Sequence, residues 1–416
     1  MNNMRALLRL SERILKTDVK YLARGGFWLF TGQGIQVLSG LVMAVVFANF
    51  LPKESFGTYQ FIMSVAAILG VLTLGMTVPV KRAAAKGLAG SLRFGFQTQL
   101  KWSIGIFILG GLLASYYFYN DNYTLGKSFL VVGALSPFIG SFSLFKSYLL
   151  GKQKFKESAM MGFWLRPILI VTMLTAVYFT IDPFILVLVY FLTSTISTGI
   201  LYFLTVSRYS EKGSFDSFPL NYAKHLTYLG VITTIGNNAE KLLIFHFLGA
   251  AQVAIYAIAV LPTTHLLRLY VIIGDLIFPK FTQHTYSTIK KDIFRKIILI
   301  FLLSALLVTV FMLCAPYIYG GIFPTYPEAI ILSQLATLSL LTKFGNLFTQ
   351  AFDAHEMKKQ MYATKFSTVL VKIILLFILT PLFGLWGVIS SVVISNVFWA
   401  ILATFLFYSA SNSSDT

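Results

Sequence analysis

Five basic residues, Arg166, Lys241, Arg268, Lys343 and Lys372, lie inside long apolar runs, and two acids, Glu240 and Asp275, lie there with them. An ionised side chain at the centre of a bilayer costs about 2.5–3.5 kcal/mol on insertion scales, so it normally faces a partner or a water-filled cavity. Five cations against two acids leave three cations without an acid. A cationic cavity attracts an anion: phosphate, diphosphate or an acidic sugar. Arginine suits phosphate oxygens through its planar fork, while lysine acts as a point charge. Arg268 and Asp275 lie two helical turns apart, so they share a face and fit one cavity wall. Adjacent Glu240 and Lys241 point about 100° apart on a helix, which argues against their pairing solely with each other. Gln33 and Gln36 share a face, and together with Asn237 and Asn238 they offer amides to sugar hydroxyls. The competing role for these amides is hydrogen bonding between helices. For the cations it is snorkelling to an interface or binding helix-end carbonyls, above all for Lys343 and Lys372.

The elements that hold these groups follow from composition. The chain has 416 residues, 57% of them hydrophobic and 12% charged, where soluble domains carry about 25% charged residues. Its mean hydropathy is +0.77. No soluble core hides that much apolar surface, so the expected fold is an all-α polytopic membrane protein. At about 20 residues per crossing, the chain has room for about twelve transmembrane helices. The net charge of +18 would suggest nucleic acid in a soluble protein. Here it sits in short loops between apolar runs, which reads as orientation in the bilayer and predicts no nucleic-acid partner.

Loop charge tests that count. The amino-terminal arm and every second connection after it hold nearly all the loop lysines and arginines, and the opposite connections hold only Lys53 and Lys127. This alternation places both termini in the cytoplasm. Residues 1–24 form a basic arm without the apolar core of a removed signal peptide, suited to an anionic lipid surface. Two membrane lobes are expected over 25–206 and 225–408, with a cytoplasmic linker at 207–224 and a tail at 409–416. The spacing of Phe50 and Tyr59 recurs in Phe247 and Tyr256, about half the chain further on, which suggests two similar halves. Both tyrosines are expected to anchor helix starts near the membrane interface. Proline and glycine predict tight turns at Ile181–Pro183 and Pro381–Gly384, and a kink in the fourth span near Pro137 and Gly140.

Enzyme signatures are thin. The chain shows no HExxH, nucleophile elbow, P-loop or paired carboxylate. The lone Cys314 forms no cluster, so neither a metal nor a cofactor is expected. With no motor domain, the driving force must be an ion gradient, the substrate gradient or removal of product.

Several stretches carry a family resemblance: FLPKESFGTYQF after the first span, the basic segment after LGMTVPVKR, YLLGKQKF after the fourth span, and NNAEKLLIFHFLGAAQVAIYAIA across the seventh and eighth. Through them the whole chain resembles the polysaccharide (O-antigen and exopolysaccharide) flippases of the multidrug/oligosaccharidyl-lipid/polysaccharide exporter superfamily. The resemblance implies two six-helix bundles related by a pseudo-two-fold axis along the membrane normal, with a V-shaped central cavity. It implies transfer of undecaprenyl-diphosphate-linked oligosaccharide across the bacterial inner membrane, the basic cavity holding the diphosphate or acidic sugars. The implied partners are that lipid-linked glycan, membrane lipids, a polysaccharide polymerase and a chain-length regulator. Two other readings stay open. A cation-coupled drug exporter of the same superfamily would want acids in the first six spans, where none lies. A membrane-embedded polymerase or transferase would want loop-borne chemistry, and the noncytoplasmic loops are tiny.

Overall fold

The computed structural model describes residues 19–88, 90–209, 220–283, 285–355 and 357–410. Over these residues the chain forms fifteen α-helices and a 3-10 turn, with no strand. Most of the amino-terminal arm, residues 210–219 of the expected linker, and the tail from 411 lie outside the described residues. The helices of the first half are α1 (Val19–Phe50), α2 (Lys53–Val71), α3 (Thr77–Ala85), α4 (Ser91–Trp102), α5 (Ile104–Tyr119), α6 (Tyr123–Phe142), α7 (Leu144–Gly151), α8 (Phe155–Phe179) and α9 (Pro183–Tyr209). Then come α10 (Leu220–Leu248), α11 (Ala250–Gln283), α12 (Tyr286–Ile322), α13 (Ala329–Thr337), the 3-10 turn Leu338–Thr342, α14 (Gly345–Ala354) and α15 (Lys358–Ser409).

Among the described residues, seven helices are long and apolar enough to cross a membrane, and the bent pair Ala329–Thr342 and Gly345–Ala354, taken as one span, makes an eighth. The 52 residues of α15 would reach about 78 Å at 1.5 Å per residue, more than twice a hydrocarbon core of about 30 Å. Its two arms meet at Gly384, whose φ of 58° and ψ of −138° leave the helical region, at the predicted turn. At the other predicted turn, α8 ends at Phe179 and α9 opens on Pro183. In the fourth span the helix runs through Pro137 and breaks at Ser143 instead. Along α12, Leu299, Leu302, Leu306, Val310, Leu313 and Tyr317 are all exposed. Their three- and four-residue spacing draws one lipid-facing stripe. The protein is a multi-pass, all-α membrane protein.

The chain divides into two compact units. The first comprises Met1–Met43, Leu69–Thr180 and Phe184–Thr227. Its core gathers Val80, Leu92, Leu144, Phe145 and Tyr148 beneath Tyr202. Helices α5 and α6 cross at Gly110 and Gly133, where a Cβ on Gly110 would stand 2.5 Å from the Gly133 Cα. Such small-residue crossings substitute close packing for the missing hydrophobic drive between helices in lipid.

The second unit comprises Ala44–Ile68, Ile181–Pro183 and Tyr228–Thr416. Its core sets Tyr270, Phe281, Phe348, Phe352 and Phe407 together, and the Tyr286 hydroxyl donates to the Phe407 carbonyl at 2.8 Å. Both repeated phrases lie within this unit. Tyr59 and Tyr256 are buried, at 6% and 5% exposure, so they serve as packing residues and not as the interface anchors expected. Phe47 meets Tyr59 edge to face, a contact worth about 0.5–1.5 kcal/mol beyond the area it buries.

Candidate functional site

The charged groups of the second unit are assembled around α10. Gly236 and Glu240 lie one turn apart and share a face. Gly236 carries no side chain where Val369 of α15 approaches; a Cβ there would come within 2.6 Å of that valine. The close approach brings Lys372, one turn beyond Val369, onto the same strip of α10. Lys372 forms an ion pair with Glu240 and donates to the Gly236 carbonyl at 2.7 Å. Exposure is 14% for the lysine side chain and 7% for the glutamate. In a buried pair of this kind, removal of one partner strands the other charge and costs about 3–5 kcal/mol.

Lys241 points elsewhere, as its helical angle requires. Its ammonium donates to Oε1 of Gln60 on α2 at 2.8 Å. One turn further along α10, Phe245 stacks on Phe61 with ring centroids 3.8 Å apart and planes 10° apart. Glu240 remains close enough to Lys241 to attract it.

Lys343 sits at a break within the apolar stretch 329–351, between the 3-10 turn and α14, and the two flanking helices bend by 47°. Hydroxyls satisfy carbonyls in the tightened turn: Ser339 donates to Ala336 at 2.7 Å and Thr342 to Ser339 at 2.8 Å. Irregular backbone of this kind survives at membrane depth where it is buried in protein or lines a cavity. Lys343 donates to Oδ1 of Asn396 at 2.6 Å and lies 5.1 Å from the ring centroid of Trp399. Asn396 is oriented by its own bond to the Val392 carbonyl at 2.8 Å. Lys343 also lies within repulsive reach of Lys372. The structure therefore brings Lys241, Lys343, Lys372 and Glu240 into one network spanning α2, α10, the α13–α14 break and both arms of α15.

The remaining candidates are placed as follows. Arg268 is partly buried on α11, within electrostatic reach of His265, and bonds to no described side chain. The side chains of Asp275, Gln33 and Gln36 lie outside the described residues. Asn237 is exposed, and Asn238 donates back to Thr234 of its own helix at 2.9 Å. Arg166 belongs to the first unit, on α8, within electrostatic reach of Lys146 on α7 and Tyr190 on α9. Sequence reasoning missed Lys146, because its place near a cytoplasmic helix end reads as loop charge. It also missed Gln60, Asn396 and Trp399. The polarity of Gln60 and Asn396 within apolar runs was a usable signal; nothing local distinguishes Trp399.

Residues 22–285 match the family described as Polysaccharide biosynthesis protein. The fold is similar to an outward-facing multidrug resistance MATE family transporter of the MOP superfamily, with a TM-score of 0.65 and 16% identity over 94% of each chain. The inward-facing conformation of such a transporter matches with a TM-score of 0.66 and 15% identity, over 90% of this chain and 94% of the other. A MOP superfamily transporter from Pyrococcus furiosus, noted for the reverse polarity of its binding pocket, matches with a TM-score of 0.63 and 15% identity, over 94% and 95% of the two chains. No curated protein matches the chain.

Proposed function

As this chain belongs to the polysaccharide biosynthesis protein family, we propose that it is a flippase for undecaprenyl-diphosphate-linked oligosaccharide. It carries repeat units for surface polysaccharide, O-antigen among them, across the bacterial inner membrane by alternating access between two lobes, with both termini cytoplasmic. A polymerase and a chain-length regulator take up the product.

The observation that supports this cargo is the charge balance of that network among the described residues. Lys241, Lys343 and Lys372 share one acid, Glu240, which leaves two positive charges held by neutral groups. A diphosphate diester carries two negative charges at neutral pH. Desolvated cations reward an oxyanion far more than exposed ones do. A pocket of reverse polarity accompanies a suggested change of function in the Pyrococcus furiosus transporter, and a net positive network argues for anionic cargo by the same logic.

The test is a flipping assay in proteoliposomes with a defined undecaprenyl-diphosphate-linked glycan. Wild-type protein is expected to move it, and Lys241→Ala and Lys343→Ala to lose most of that transport while still reaching the membrane. Full transport by both variants would overturn the assignment of the site. No transport by the wild-type protein would overturn the cargo.

A further inference from the structure

The three lysines of the network do not have equivalent partners. Lys241 and Lys343 rest on the amide oxygens of Gln60 and Asn396, neutral acceptors that an oxyanion outcompetes by adding ion-pair attraction to the hydrogen bond. Lys372 alone rests on a carboxylate. A buried ion pair is a poor device for stability, because apolar side chains of similar volume often do as well or better. The place of Glu240 suggests another use. Its carboxylate is bonded to Lys372, attracts Lys241 on the next residue, and lies in a network where Lys343 repels Lys372.

We propose that Glu240 is a resident counter-anion, which occupies Lys372 in the empty protein and yields that ammonium to an oxyanion of the cargo. The proposal rests on the flippase reading above. An arriving diphosphate attracts Lys372 and repels the Glu240 carboxylate, so the internal pair opens as the external one forms. Lys372 keeps its bond to the Gly236 carbonyl and needs only to exchange one acceptor. On release, Glu240 retakes the lysine and competes against rebinding. The carboxylate thus lowers affinity and speeds departure, which suits a carrier that must let its cargo go.

Glu240→Gln keeps an acceptor oxygen for Lys372 and removes the competing charge. In nanodiscs holding the full chain, with undecaprenyl-diphosphate-N-acetylglucosamine as probe and undecaprenol as uncharged control, E240Q is expected to bind the probe about tenfold more tightly than wild type. In proteoliposomes it is expected to flip the probe more slowly at saturation. A merely structural lesion would not tighten binding. Glu240→Asp, whose shorter side chain holds Lys372 less well, should fall between the two and decides the matter if E240Q does not fold. Glu240→Gln should tighten binding less in a K372Q background than in the wild type, because part of the effect of Glu240 passes through Lys372. Equal or weaker binding by E240Q overturns the proposal while leaving the flippase intact. Wild-type protein that neither binds nor moves the probe overturns both.

Discussion

Lys241 donates a 2.8 Å hydrogen bond to Gln60, a residue 181 positions earlier in the chain. The bond fastens α10 to α2, beside the stacked rings of Phe61 and Phe245. It also explains how a lysine whose neighbour Glu240 is committed to Lys372 remains satisfied. The amide leaves the charge uncompensated while meeting one of its three donors.

Gln60→Leu should therefore expose the cost of that arrangement. The substitution keeps the volume but leaves the lysine without its acceptor, a loss of about 1–3 kcal/mol. Thermal unfolding in detergent should show the drop, and Gln60→Asn should recover part of it. In transport, Gln60→Glu is the informative change. A carboxylate there would neutralise Lys241, and flipping of a diphosphate-linked glycan should fall although the protein remains folded.

Gly57 and Gly70 lie on the same helix and should respond oppositely to alanine. A Cβ on Gly57 would collide with the carbonyl of Ala250 at the start of α11, while a Cβ on Gly70 meets nothing within 4 Å. Overpacking of this kind costs about 1–3 kcal/mol. An unhindered Gly→Ala change within a helix gains up to about 1 kcal/mol. Thermal midpoints of the two variants in detergent should straddle the wild-type value.

Gly57 and Lys343 mark what the sequence could and could not disclose. The buried charges were legible one by one, because lysine and glutamate within apolar runs are too costly to be incidental. Turns were legible at Pro183 and Gly384, where ring closure or a positive φ leaves a local mark. Partner choice was not. That Glu240 takes Lys372, and Lys241 takes Gln60, depends on which helices touch, and Gly236 permits one of those contacts through an atom it lacks. The break at Lys343 was hidden for a related reason. Residues 329–351 read as one apolar run, and the 3-10 turn is held by serine and threonine hydroxyls that a sequence presents as ordinary helix residues. The tyrosines of the Phe–Tyr phrase were expected as interface anchors and are buried instead, because period and spacing carry no information on burial.

Gly384 joins the two arms of α15 with φ 58° and ψ −138°, a region that side chains with a Cβ rarely adopt. Gly384→Ala should cost about 1–3 kcal/mol. Because no heavy atom lies within 4 Å of the missing Cβ, the loss would be backbone strain alone. Gly384→Asn, which tolerates positive φ better, should lose less than Gly384→Val by thermal unfolding.

Tyr326, in the connection between α12 and α13, gives the second unit an alkaline limit. The side chain is fully buried, and its hydroxyl has no hydrogen-bond partner among the described residues. Burial, helped by the nearby carboxylates Glu54 and Glu328, pushes its pKa up from 10.0 to about 12. The folded protein therefore keeps a proton that the unfolded chain gives up more readily. Whatever stability this proton contributes is complete below pH 10 and is lost as pH rises toward 12, because folding binds protons in that window. Tyr326→Phe retains the buried ring and removes the titrating group. The variant should match or exceed the wild-type thermal midpoint near pH 8, since it deletes an unpartnered hydroxyl. Between pH 10 and 12 its midpoint should fall less steeply than that of the wild type. Lysines titrate in the same range in both proteins, so the difference between the two curves isolates the tyrosine. Parallel curves would show that Tyr326 ionises at the same pH in the folded and unfolded chain.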